Sequence, residues 1–295
     1  MTQSTVRLGV LSPATPNRPH FKSFEAILPP GIAMAHDGLG LLGESYQDLA
    51  GKEDVILAHG RALVNKHNVA GVMLTGGFVT LFNPGIEAKL AAAIGLPVVS
   101  AISSAVSALL ALSAKSVLLM TPFDRASDER IKAHVEKLGF TMSLGPSFDN
   151  RLPGSSLGLG PEQLFGSVEK TFAAHPAEAI YFQGATMDPL PIIQQIENRL
   201  GVPVVTSNSA MLWHLLSKLQ LKYAISGYGK LLREWPAPAD NGPHRIHRFS
   251  RLPLPAQRIP RSAIAHNAIL AHASALRDAL WWQQFCRSIG DKNRR

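Results

Sequence analysis

The segment AIYFQGATMD, residues 179–188, runs four apolar residues straight into Gln183 and Gly184. A buried parallel strand ends this way at the rim of an α/β sheet, where such folds keep their ligands. A glutamine there offers a neutral amide that hydrogen-bonds in both directions but neither titrates nor attacks. It suits orienting a substrate or polarising a carbonyl. For proton transfer the candidates are His36 and Asp37, in AMAHDGLG, at the end of another apolar run. A histidine beside a carboxylate is a workable acid–base pair, although neighbours on an extended segment point to opposite faces. His59 and His67 read as surface positions on a helix, and His214, beside Trp213, reads as packing. His244 and His247 have no cysteine or second close pair nearby, so no metal site is expected. Cys286 is the sole cysteine, which excludes disulfides and cysteine-based metal centres.

Short apolar runs alternating with amphipathic stretches predict βα units and parallel sheet. The predicted strands are 6–12, 31–36, 69–76, 96–101, 116–122, 140–145, 179–184, 202–207 and YAISG at 223–227. Between them, DERIKAHVEKLG (128–139) reads as a helix with Ser127 as its cap and Gly139 as its stop, and PLPIIQQIENRLG ends at Gly201. GLPVVSAISSAVSALL (95–110) aligns with GVPVVTSNSAMLWHLL (201–216) at a constant offset of 106. Upstream, VMLTGG (72–77) matches IYFQGA (180–185), Gly76 is set opposite Gln183, and LSP (11–13) matches MTP (120–122). Two copies of one arrangement imply two pseudo-symmetric, parallel-sheet α/β domains, residues 1–115 and 116–235. The site is expected in the cleft between them. The glycine-rich stretches at 38–43 and around Gly158 lack the order and context that dinucleotide binding requires and read as loops, the second with PGSS (153–156) as a flap.

The net charge of +8 is unevenly spread. From Ala237 onward there are 10 Lys/Arg against 3 Asp/Glu, which leaves the body nearly neutral. The Pro/Arg-rich tail, 236–295, is expected to lack fixed structure apart from one short helix near Trp281 and Trp282. It carries no nucleic-acid motif, so no nucleic-acid partner is expected. No apolar run reaches the roughly 20 residues of a membrane span, and no N-terminal stretch reads as a leader, so a cytoplasmic protein is expected. Homo-oligomerisation is left open.

GVPVVTSNSAMLW, GYGKLL (227–232), MTPFDRASDERIKAHVEKLGF (120–140) and the opening GVLSPATPN together resemble the aspartate/glutamate racemase superfamily, within it the maleate isomerase and arylmalonate decarboxylase branch, over residues 6–235. The resemblance implies a racemase-like pair of α/β domains, no cofactor, and an isomerase or decarboxylase (lyase) acting on a small carboxylic or dicarboxylic acid. In that family one or two cysteine thiolates stand at equivalent strand ends. The matching positions here are Gly76 and Gln183, so any chemistry proceeds without the thiol pair. The resemblance places Ser12, Pro13 and Asn17 in a first substrate loop. It places Thr121, Pro122 and Phe123 in a second, Thr75, Gly76 and Gly77 at one strand end, and Gly184 beside Gln183 at the other. Ser207 and Asn208 match a turn that holds the substrate carboxylate, although asparagines at positions 17 and 208 are also the type that caps turns. The alternatives implied are a non-thiol hydrolase or hydratase and a silent carboxylate-binding module on the same fold.

Overall fold

The computed structural model describes residues 5–14, 19–148 and 158–239. Among them lie two four-stranded, all-parallel sheets built to one plan. In the first half, β1 (Val6–Ser12), β2 (Ile32–Gly38), β3 (Gly71–Leu74) and β4 (Val98–Ser100) stand in the order β2-β1-β3-β4. In the second, β5 (Ser116–Met120), β6 (Thr141–Leu144), β7 (Ala179–Phe182) and β8 (Val204–Thr206) repeat it as β6-β5-β7-β8. Helices α1 (Pro19–Ala26), α2 (Glu53–His67), α3 (Gly77–Phe82), α4 (Ile86–Ile94) and α5 (Ala101–Ala111) belong to the first half. The second half carries α6 (Arg125–Glu136), α7 (Pro161–Ala174), α8 (Ile193–Leu200) and α9 (Ser207–Lys218), and α10 (Lys230–Glu234) follows. This is the two-sheet α/β fold that the repeat predicts.

The central strands β3 and β7 are buried at every position, as parallel strands covered on both faces must be. The repeat also governs the punctuation. Gly95 (φ 67°) and Gly201 (φ 72°) end α4 and α8 in the left-handed region, which favours glycine. Ser100 and Thr206 open α5 and α9 through matching capping boxes, each such hydroxyl being worth about 1 kcal/mol. Helices α5 and α9 then pack against each other and join the halves into one unit.

Two expectations fail. YAISG (223–227) is not a strand: Ile225 N–H donates to the Leu232 carbonyl (2.9 Å) and Tyr223 packs edge-on against Trp235. Its return path is fixed by Glu197, a buried carboxylate that accepts from Val204 N–H (2.8 Å) and Lys230 N–H (2.7 Å), so β8 stays an edge and the chain turns into α10. Helix α6 is capped by Asp124, not Ser127. The Asp124 carboxylate accepts from Ser127 N–H (2.9 Å), because the helix begins at Arg125, three residues before the expected start at Asp128. The tail from residue 240 lies outside the described residues.

Candidate functional site

In a sheet ordered β2-β1-β3-β4 the chain reverses direction of growth between β1 and β3, and ligands collect beyond the strand ends at such a point. Both halves build the same turn there. Thr75 N–H donates to the Leu11 carbonyl (2.9 Å), and Gln183 N–H donates to that of Met120 (3.0 Å). The true counterparts are therefore Thr75 with Gln183 and Gly76 with Gly184, one step away from the expected match of Gly76 with Gln183. The two glycines share a conformation, φ/ψ 80°/100° at Gly76 and 110°/100° at Gly184. A β-carbon on Gly76 would lie 2.8 Å from Pro13 Cγ, and one on Gly184 2.6 Å from Pro122 Cδ. Ser12 Oγ accepts from Ala14 N–H and Thr121 Oγ1 from Phe123 N–H, each at 3.1 Å, so a hydroxyl–proline turn backs each glycine turn.

The halves differ in what they send into the cleft. Gln183 is 2% exposed. Its Oε1 accepts from the Tyr181 hydroxyl and from Ser207 Oγ (2.8 Å). Tyr181 and Ser207, buried beside each other, together hold the amide with its oxygen toward their hydroxyls. The Nε2 group then points at Gly77, where a β-carbon would lie 2.5 Å away. Gly77 is thus glycine because Gln183 of the opposite half occupies the space of its side chain.

Between the two turns lies a cavity of about 90 Å³. That is room for a few waters or a compact organic acid, well below the ~300–1,000 Å³ of a drug-sized pocket. Ser12, Thr75, Gln183, Thr186, Ser207 and Asn208 supply its polar lining, with Pro13, Gly76, Gly77 and Gly184 between them. Phe21, Leu42, Leu49 and Met211 line it with an aromatic box of Tyr46, Phe78 and Phe123, whose ring centres stand 4.4–5.3 Å apart. No described lining residue carries a charge. An anion here meets only neutral donors: the amide of Gln183, hydroxyls, and N–H groups opening α9, which have no intrahelical acceptor.

Helix openings and strand-end turns were readable from sequence; the aromatic box was not. Tyr46 and Leu49 sit on a short 3-10 turn, Tyr46–Leu49, in a segment that reads only as loop. Asn83 holds it down: its Oδ1 accepts from Lys52 N–H (2.9 Å), and its Nδ2 donates to the Leu49 (2.7 Å) and Val79 (2.8 Å) carbonyls. Tyr46 and Leu49 between Gly43 and Gly51 were the available signal, two large residues in an otherwise small and polar stretch.

Several expected site residues lie elsewhere. Thr121 and Pro122 stand behind the lining; the Thr121 hydroxyl donates to Asp128. Burial pushes the Asp128 carboxyl up to about 6, against the opposing pull of that hydrogen bond and of Arg125. His36 and Asp37 do not line the cavity. They lie near the end of the edge strand β2, His36 behind Phe21 with its Nε2 pairing with Glu25 (2.9 Å), and Asp37 pairing with His59 Nδ1 (2.8 Å). His214 packs, as expected: it stacks on Trp213, its Nδ1 meets Ser104 Oγ at 3.2 Å, and burial, then Lys218, holds it down to about 3. Asn17, His244, His247 and Cys286 lie outside the described residues. Among the described residues no cluster of three or more metal-ligating side chains occurs, and no helix is long and apolar enough to cross a membrane.

Comparison with known proteins places this geometry. The maleate isomerase of Nocardia farcinica is 28% identical over 136 residues, 46% of this chain and 54% of that protein. The chain thus spans about half the length of that curated relative. The arylmalonate decarboxylase of Bordetella bronchiseptica is 27% identical over 226 residues, 71% of this chain and 90% of that protein. The structure of Nocardia farcinica maleate cis-trans isomerase bound to TRIS superposes with a TM-score of 0.70 at 22% identity, covering 78% of this chain and 98% of that one. A cysteine-to-serine mutant of that isomerase carries a covalently bound succinylcysteine intermediate. The arylmalonate decarboxylase family model matches residues 10–232, a span that takes in both strand-end turns and all eight strands from within β1 to β8, and so the chain belongs to the arylmalonate decarboxylase family.

Proposed function

We propose that the cavity binds a small dicarboxylic acid and that the chain acts on it as a cofactor-independent, decarboxylase-like enzyme. The observation that carries this reading is the pair of facing glycine turns, closed by the α9 opening and the locked amide of Gln183, around a cavity with no charged described side chain. One carboxylate of a malonate-type acid rests on those neutral donors. The other is pressed toward the box of Tyr46, Phe78 and Phe123, away from water. There the carbon–carbon bond breaks and carbon dioxide leaves. The electron pair stays as an enediolate of the remaining carboxylate, whose charge grows where the donors already point; removing one such donor typically costs about 10²–10³-fold in rate. The reacting carbon then takes a proton.

Isomerisation through a thioether, as the succinylcysteine of the relative records, has no support here. Neither Thr75 nor Gln183 is a thiol, and the single cysteine is Cys286. Decarboxylation asks only for a place to put charge. The wholly neutral described lining also supports a second reading, a protein that binds the acid without turning it over.

The test is a melting-temperature screen of malonate, maleate and phenylmalonate, followed by assay of carbon dioxide release. An acid at 100 times its Kd stabilises by about 2.7 kcal/mol. Iodoacetamide is expected to leave both binding and turnover unchanged. If no acid shifts the melt the reading fails, and a shift without gas release leaves the binding protein.

A further inference from the structure

Decarboxylation needs a proton donor, and among the described lining residues the only titratable side chain is Tyr46. One carboxyl stands just behind the wall. Asp188 closes the 3-10 turn Ala185–Met187 that follows Gly184, with its backbone in the left-handed region (φ 44°, ψ 60°). Non-glycine residues held there concentrate at functional sites. Ser23 Oγ, from α1 of the opposite half, donates to Asp188 Oδ2 at 2.6 Å. The other oxygen, Oδ1, is buried and has no hydrogen-bond partner among the described residues. Burial raises the Asp188 carboxyl above the usual carboxylate range, with the Ser23 hydrogen bond opposing.

Asp188 lines a second, smaller cavity of about 10 Å³. That is close to the space of one water molecule. Gly184, Ala185, Ser207 and Asn208 line both cavities, so the two are separated by a single layer of the residues that cradle the acid. We propose that Asp188, through a water seated in this small cavity and the Ser207 hydroxyl of the dividing layer, supplies the proton that the reacting carbon takes up. The step balances simply. After carbon dioxide leaves, the protonated carboxyl gives its proton to the water, the water gives one to the Ser207 hydroxyl, that hydroxyl passes its own to the carbon, and a C–H bond replaces the broken C–C bond. Asp188 is left as a carboxylate and recovers its proton from solvent. The role rests on the decarboxylase reading, and Asp188 acts through the water and Ser207 without touching the substrate.

Asparagine tolerates left-handed backbone, so Asp188→Asn should fold. Expected are a fall in kcat of about 100-fold, within the usual span of general acid catalysis, and a KM and acid-induced melting shift within about twofold of the parent. Asp188→Gly, which suits the same backbone, should lose turnover equally and regain it in proportion to added formate, a rescue that a purely structural role would not show. Ser23→Ala, which removes only the latch between halves, should keep kcat within about threefold. Full turnover in Asp188→Asn or in Asp188→Gly without formate overturns the proposal while leaving the decarboxylase reading intact. Equal losses in Ser23→Ala and Asp188→Asn, without formate rescue of Asp188→Gly, make Asp188 a latch and overturn it too. If the parent protein releases no carbon dioxide from any malonate, the decarboxylase reading fails, and the proton role falls with it.

Discussion

Gly76 and Gly184 place the backbone where no side chain fits, and each has a proline behind it that makes the prohibition physical. At Gly184 the conformation (φ 110°) and the Pro122 ring, 2.6 Å from any added β-carbon, act together. Gly184→Ala should therefore cost about 1–3 kcal/mol, the range for a residue forced into sparsely populated backbone space. It should also weaken the acid-induced shift, because the N–H groups of this turn move with it. Gly166, in the middle of α7 with open space around its β-position, is the control. Gly166→Ala should raise the melting temperature, by about 0.5–1 kcal/mol of helix preference. Thermal melts of both variants, with and without malonate, decide the matter: a stable Gly184→Ala with undiminished binding would show that the turn is incidental. At this scale the string QG at a strand end gave the position of Gln183. It did not give the direction of its amide, which depends on Tyr181 and on Ser207, 24 residues away.

Among the elements, the helices and strands follow the apolar periodicity closely, and the departures are instructive. YAISG is apolar enough for a strand but does not join the free edge of β8, since Glu197 holds the chain at Lys230 and turns it into α10. The segment carrying Tyr46 and Leu49 has too little periodicity to predict any structure, yet it forms one wall of the cavity. Its order comes from its own Ser45–Asp48 capping box and, from outside, from the two hydrogen bonds that buried Asn83 makes to Leu49 and Lys52. Asn83→Ala would strip partners from Lys52 N–H and from the Leu49 carbonyl together. At about 1–3 kcal/mol for a buried group left unsatisfied, the variant should melt measurably lower. It should also bind a malonate at least several-fold more weakly while α5 and α9 stay in place. Titration by melting shift and limited proteolysis across 43–52 would check it, and parent-like affinity would mean that the aromatic box stands without this support.

For the whole molecule, the two halves meet through α5 and α9, and His214 sits in that seam against Ser104. Burial holds its pKa down to about 3, from 6.5 for a free imidazole. A depressed base favours the fold above its unfolded pKa, so this contribution is complete above about pH 6.5 and drains away as the pH falls toward 3. His214→Asn should flatten that part of the stability profile. Denaturant melts of parent and variant between pH 7 and 4 measure it, and identical slopes would deny the histidine this role. Taken alone, the sequence determined the duplicated α/β plan, the strand ends that carry Ser12, Thr75, Gln183 and Ser207, and the lack of a thiol at those ends. These are matters of local pattern and composition, readable because a buried parallel strand and a capped helix each impose their own residue types. Only the tertiary structure decided which side chains face the acid. It paired His36 with Glu25 and Asp37 with His59, set Thr121 against Asp128, and brought Tyr46 and Phe123 together from opposite halves. Facing is a property of pairs far apart in the chain, fixed by where two sheets come to rest against each other, and no window of sequence contains it.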